Sequence, residues 1–168
     1  MGGKGSGRHM EVESWQAREG RAFRAEEAKL VDQAWETMAD WLRGFRWEWY
    51  ATFTFRGDPH VWECYRAWGE VMRELRRRGA RPSYFRCTEL QKRGVVHFHA
   101  LMRGVGVVDR FEVMEWWWQH WGMARIYLYD QGVGAVRYVG KYVLKEAART
   151  GDYALVVDGQ GVLFGSRE

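Results

Sequence analysis

Two histidines one residue apart, His97 and His99 around Phe98, are the side chains of this sequence best placed to do chemistry. On a β-strand, residues two apart share a face, so both imidazoles project one way and Phe98 projects the other, into a core. A bound metal ion would account for the pair; two partly exposed histidines without a ligand would be the alternative. Glu89 stands a few residues earlier. The run Gln91-Lys92-Arg93-Gly94 reads as a hairpin turn, and cross-strand pairing then brings the Glu89 carboxylate toward the histidine face. A salt bridge to Arg86 or Lys92 competes for Glu89, and Gln91 is an alternative ligand. Two imidazoles and a carboxylate leave open positions for water and substrate oxygens around a Lewis-acid divalent ion such as Mg²⁺ or Mn²⁺. No His-Glu-x-x-His zinc signature occurs, and Leu101, Met102 and Arg103 stand where a cupin-type site would want a glutamate after the histidines.

A second constellation lies about forty residues on. Taken at about 100° per residue, Ala135, Val136, Val139, Gly140, Val143, Leu144 and Ala147 collect in one sector of a helix over 134–149. Tyr138 and Tyr142 fall outside that stripe, one turn apart, on a face shared with Lys145 and Arg149 and flanked by Lys141. A structural tyrosine belongs on the apolar side; two phenols among cations suit attack on a phosphate. A free phenol titrates near pH 10, so only about one in a thousand is ionised at neutral pH, a cost of about 4 kcal/mol that Lys141 and Lys145 would reduce.

The elements that must position these residues follow from periodicity. Met1 to His9 is rich in glycine and opens a flexible tail of residues 1–20. Residues 21–44 read as an N-terminal helical extension with Val31, Ala34, Trp35, Met38, Trp41 and Leu42 at helical spacing. The domain proper occupies 45–168. It opens with a strand over 47–55, then Asp58 as N-cap with Pro59 at the first helical position, and a helix reaching about Arg78. Arg76, Arg77 and Arg78 suit a capped, solvated helix end more than a nucleic-acid contact. Strands over 84–91 and 95–102 flank the hairpin turn. Asp109 caps a helix that Gly122 ends; a strand over 124–129, the tyrosine helix, and a closing hairpin of 153–157 with 162–164 complete the order. The fold class is α+β, a ferredoxin-like or RRM-like antiparallel β-sheet with helices packed on one face, leaving the other for a ligand.

Composition is compatible with this reading but does not select it. The 168 residues carry a formal charge of +4, and arginine supplies most of the cations, with five lysines in all. No apolar run reaches the length of a membrane span and no secretory leader is evident, so a cytoplasmic protein is expected, with Cys64 and Cys87 as reduced thiols. Of eleven tryptophans, Trp35, Trp41, Trp117, Trp118 and Trp121 fall on apolar helical faces and are expected in the core.

Three motifs together resemble the HUH endonucleases, in particular the two-tyrosine rolling-circle replication initiators of phages and plasmids. Thr52-Phe53-Thr54-Phe55 is similar to the family's first, strand-borne motif, His97-Phe98-His99 to its His-hydrophobic-His motif, and Tyr138-Val139-Gly140-Lys141-Tyr142-Val143-Leu144-Lys145 to its Tyr-x-x-Lys-Tyr-x-x-Lys motif. The resemblance implies that Tyr138 and Tyr142 are nucleophiles, that His97, His99 and Glu89 hold the metal, and that Lys141 and Lys145 contact phosphate. It implies nicking and joining of single-stranded DNA at a replication origin, through a 5′-phosphotyrosine and a free 3′-hydroxyl, with a host helicase and polymerase as partners. Lys92, Arg93, Arg137 and Arg149 are the candidate nucleic-acid contacts. A transposase or relaxase using the same chemistry, or a non-catalytic single-strand binder on the same fold, are the alternatives, since the fold alone does not choose.

Overall fold

The computed structural model describes residues 26, 29, 32, 33, 36–90, 94–130, 153–157 and 160–164. The chain divides into two units, Met1–Ala34 and Trp35–Glu168. In the first, Glu26, Lys29, Asp32 and Gln33 are helical and exposed. The second opens with a helical segment over 36–43 (α1). It continues as β1 (Trp49–Thr54), α2 (Val61–Arg77), β2 (Ser83–Leu90), β3 (Val96–Arg103), α3 (Arg110–His120), β4 (Ala124–Leu128), β5 (Tyr153–Val157) and β6 (Gln160–Phe164).

The strands form one sheet in the order β4-β1-β3-β2-β5-β6, and every neighbouring pair is antiparallel. The first four strands have the ferredoxin-like arrangement, and the β5–β6 hairpin extends it beyond β2. The fold is α+β, as the pattern of elements predicts.

Alternation along the strands builds two cores. Trp49, Ala51 and Phe53 of β1 and Val96, Phe98, Ala100 and Met102 of β3 face α2 and α3, where Trp68, Val71, Leu75, Val113 and Trp117 complete the packing. Phe98, between the histidines, is fully buried, with its ring centroid 5.6 Å from both Tyr65 and Trp68. The opposite face is not wholly open. Ala39 and Leu42 of α1, with Trp47, pack on Phe85, Cys87, Leu101 and Leu155, and the Trp47 indole donates to the Leu42 carbonyl at 2.8 Å. Cys64 and Cys87 are both buried free thiols.

Several local expectations shift. The α2 N-cap is His60, not Asp58: its imidazole accepts from the Trp62 amide while the Glu63 carboxylate accepts from the His60 amide, a capping box that starts the helix two residues later. At the other end, Arg77 and Arg78 close on the buried carboxylate of Glu74 at 2.6 and 2.7 Å, and Arg78 also reaches Glu112 of α3. Asp109 caps α3 as expected, accepting from the Phe111 amide at 2.8 Å. Trp117 is buried and Trp121 packs partly buried beside it, but Trp118 and Trp41 are 55% and 47% exposed; Trp118, about 100° round the helix from Trp117, turns toward solvent. Trp35 lies outside the described residues.

Candidate metal centre

The hairpin between β2 and β3 sets the site. Gly94 takes φ +83° in the turn, a conformation glycine adopts without steric cost, and the resulting register places Glu89 directly opposite His97 and Cys87 opposite His99. Glu89, His97 and His99 therefore project from one face of adjacent strands. Arg86, an odd number of residues from Glu89, points to the other face, its guanidinium 4.7 Å from the Tyr65 ring and 4.8 Å from that of Phe98. Burial there pushes it down to about 10. Glu89 thus answers to the histidines rather than to Arg86.

One carboxylate oxygen of Glu89 lies 2.6 Å from His97 Nε2 and 2.8 Å from His99 Nε2. The two Nε2 atoms are 3.1 Å apart. Burial raises the Glu89 carboxyl, but hydrogen bonds from His97 and His99 outweigh it and the net shift is downward, favouring the charged form that a cation needs. The histidine side chains are 14% and 12% exposed and Glu89 36%, so the cluster is sheltered yet reachable from solvent.

The donor triangle suits a divalent ion. Ligands about 2.1 Å from an octahedral centre stand about 3.0 Å from one another along a face, close to the three separations here. Three protein donors on one face leave the opposite positions for water or substrate oxygens. Among the described residues, this is the cluster of histidine, cysteine or acidic side chains able to hold a metal ion.

Strand β1 supplies a second layer. His99 pairs with Thr52 and His97 with Thr54. His99 Nδ1 lies 3.1 Å from Thr52 Oγ1 and 3.3 Å from the Tyr50 hydroxyl, and the Tyr50 and His99 rings are parallel within 3° at 6.3 Å. With Nε2 given to a cation, Nδ1 carries the proton and donates it to one of these oxygens, which fixes the tautomer and the ring plane. From sequence, Thr52 stood in the strand-borne motif without a role of its own, and Tyr50 was not singled out. The usable signal was strand alternation: Tyr50, Thr52 and Thr54 are the outward positions of a strand whose other residues are apolar.

The imidazoles open into a cleft of about 570 Å³ whose other walls are Tyr50, Thr52, Thr54, Met123, Arg125 and Tyr127. This lies within the roughly 300–1,000 Å³ range of ligand-holding clefts.

The remaining predicted site residues, Tyr138, Tyr142, Lys141, Lys145, Lys92, Arg93, Arg137 and Arg149, lie outside the described residues, as does Gln91. Among the described residues, no helix is long and apolar enough to cross a membrane.

No curated protein and no solved structure matches the chain. Residues 48–147, which run from the start of β1 past β3 and its histidines to the end of the paired-tyrosine motif, match the family of replication-associated proteins ORF2/G2P. With more than half of its 168 residues in that match, the chain belongs to the replication-associated protein ORF2/G2P family.

Proposed function

We propose that this protein is an HUH endonuclease of the two-tyrosine type that nicks and rejoins single-stranded DNA at a replication origin. The observation that carries the reading is the convergence of Glu89, His97 and His99, whose two imidazoles line an open cleft, in a chain whose family is replication-associated. That family also favours replication over the transposase and relaxase alternatives.

In this reading Glu89, His97 and His99 hold Mg²⁺ or Mn²⁺, which when bound polarises the scissile phosphate and stabilises charge on the departing oxygen. The phenol oxygen of one of Tyr138 and Tyr142 attacks phosphorus as the P–O3′ bond breaks. The 5′-phosphate passes to the tyrosine and the released 3′-oxygen takes up a proton, leaving a hydroxyl that a host polymerase can extend. Lys141 and Lys145 favour the phenolate and pair with phosphate oxygens. Because one phosphodiester replaces another, its energy is conserved. The second tyrosine can then attack a new junction while the first still holds a 5′ end. Lys92, Arg93, Arg137 and Arg149 hold flanking phosphates, and a host helicase opens the duplex.

Labelled single strands tiled across the parent replicon test this. With Mn²⁺ the protein should cut one of them to give a 3′-end that a polymerase extends; chelator or Glu89→Ala should stop the cut. Cleavage unaffected by both, or binding with no cleavage of any strand, would reduce the protein to a binder on this fold.

A further inference from the structure

The cleft beside the histidines has walls that the nicking chemistry leaves without work. Arg125 and Tyr127 project into it from β4, the edge strand next to β1. Arg125 stands opposite Thr52 and Tyr127 opposite Tyr50, and Thr52 in turn stands opposite His99. Arg125, Thr52 and His99 therefore form one row across three strands on the same face. Two strand spacings separate the ends of the row, roughly 10 Å between backbones. A long arginine side chain on one side and an imidazole on the other narrow that gap to the span of neighbouring phosphates on an extended strand.

Among the described residues, no hydrogen bond or ion pair commits either side chain elsewhere. Arg43, Arg66, Arg77 and Arg78 each face a carboxylate, whereas among the described residues no acidic side chain pairs with Arg125, which is exposed. Tyr127 is 55% exposed, one row along from Arg125 on the same face. A solvent-facing guanidinium and an aromatic ring two residues apart on one strand face match the alternation of phosphate and base on a single strand.

The geometry points to a nucleotide subsite on β4: Arg125 grips the phosphate next to the one presented to Glu89, His97 and His99, and the Tyr127 ring stacks on the adjoining base. The subsite rests on the reading that this face takes single-stranded DNA, and it adds a residue set that positions the strand in the cleft. Arg125 acts through the phosphate as a charge and is indifferent to sequence; Tyr127 is tolerant of base identity, because every base offers a π face.

Fluorescence anisotropy with a labelled oligothymidylate, in parallel with adduct formation on origin-spanning single strands, tests this. Both side chains are exposed, so Arg125→Ala and Tyr127→Ala should keep the wild-type melting temperature. Arg125→Ala should weaken binding about 3- to 10-fold and flatten the salt dependence by about 0.7 in slope, the value for one phosphate on a single strand. Arg125→Lys should restore the slope. Tyr127→Ala should weaken binding about 5-fold or more with the slope unchanged. Wild-type affinity and slope in both alanine variants would overturn the subsite, and would leave the nicking reading standing if those variants still form the adduct. A change in oligomeric state with unaltered DNA binding would overturn it too, reassigning the β4 edge to a contact between copies of the chain. Normal oligothymidylate binding lost in the variants, together with no wild-type adduct on any strand, would support the subsite while removing the nicking reading.

Discussion

His99 is held from two sides, with Nε2 at the Glu89 carboxylate and Nδ1 at Thr52 and Tyr50. Second-layer partners of metal-bound histidines typically carry 10- to 100-fold in metal affinity. Thr52→Val removes the hydroxyl at nearly constant volume, so calorimetric titration with Mn²⁺ should show about a 10-fold weaker site, and Thr52→Ser should retain wild-type affinity. Equal affinities in all three proteins would contradict a positioning role. The histidine pair was legible in the sequence because a two-residue spacing on a strand has one geometric outcome. Glu89 was legible through the short hairpin, whose turn fixes register within a few residues. Thr52 was not: its partnership depends on the pairing of β1 with β3, more than forty residues apart, and spacing carries no register over that distance.

Among the elements, α2 ties its last turn together through Glu74. Hydrogen bonds from Arg77 hold that carboxyl down at about 2 against an ordinary value of 4.5, with burial opposing and Arg78 assisting. A carboxyl depressed in the folded state stabilises above its unfolded value and loses that contribution as pH falls through the folded one. Denaturant unfolding should therefore show a stability loss between about pH 4.5 and 2 that is smaller in Glu74→Gln. The turn after α3 is set by close approach: a Cβ at Gly122 would meet the Thr54 carbonyl oxygen at 2.4 Å and the Arg56 amide at 2.7 Å. Gly122→Ala should cost about 1–3 kcal/mol in the same assay. From sequence, Gly122 was legible as the residue that ends a helix, while its packing against the end of β1 was not, because a stop signal says nothing about what lies against it. The amphipathic stripe of the N-terminal helix gave Leu42 an apolar face without naming its partner. Leu42 is 1% exposed against the sheet face that also bears the histidines, and Leu42→Ala should destabilise by about 2–5 kcal/mol.

At the scale of the molecule, one sheet does two jobs because its strands alternate. Inward residues bury against α2 and α3, and outward residues divide between an apolar patch under α1 and a polar cleft lined by His97 and His99, with Glu89 bonded to both. The α+β order of elements was legible because each strand and helix has its own period. The division of the outer face was not, since the same outward positions read as polar cleft or as covered core until α1 is placed. Binding energy supplied by an ion that favours the folded chain raises its melting temperature, so Mn²⁺ should stabilise the wild type and leave Glu89→Ala unmoved. The proposed nicking reaction requires the tyrosine pair to act with this centre. Incubation of the wild type, Tyr138→Phe, Tyr142→Phe and the double variant with Mn²⁺ and origin-spanning single strands, followed by denaturing electrophoresis, addresses that directly. The wild type should form a denaturant-stable protein–DNA adduct that chelator abolishes, that at least one single variant loses or diminishes, and that the double variant lacks. An adduct that persists in the double variant, or none in the wild type on any strand, would contradict that reaction.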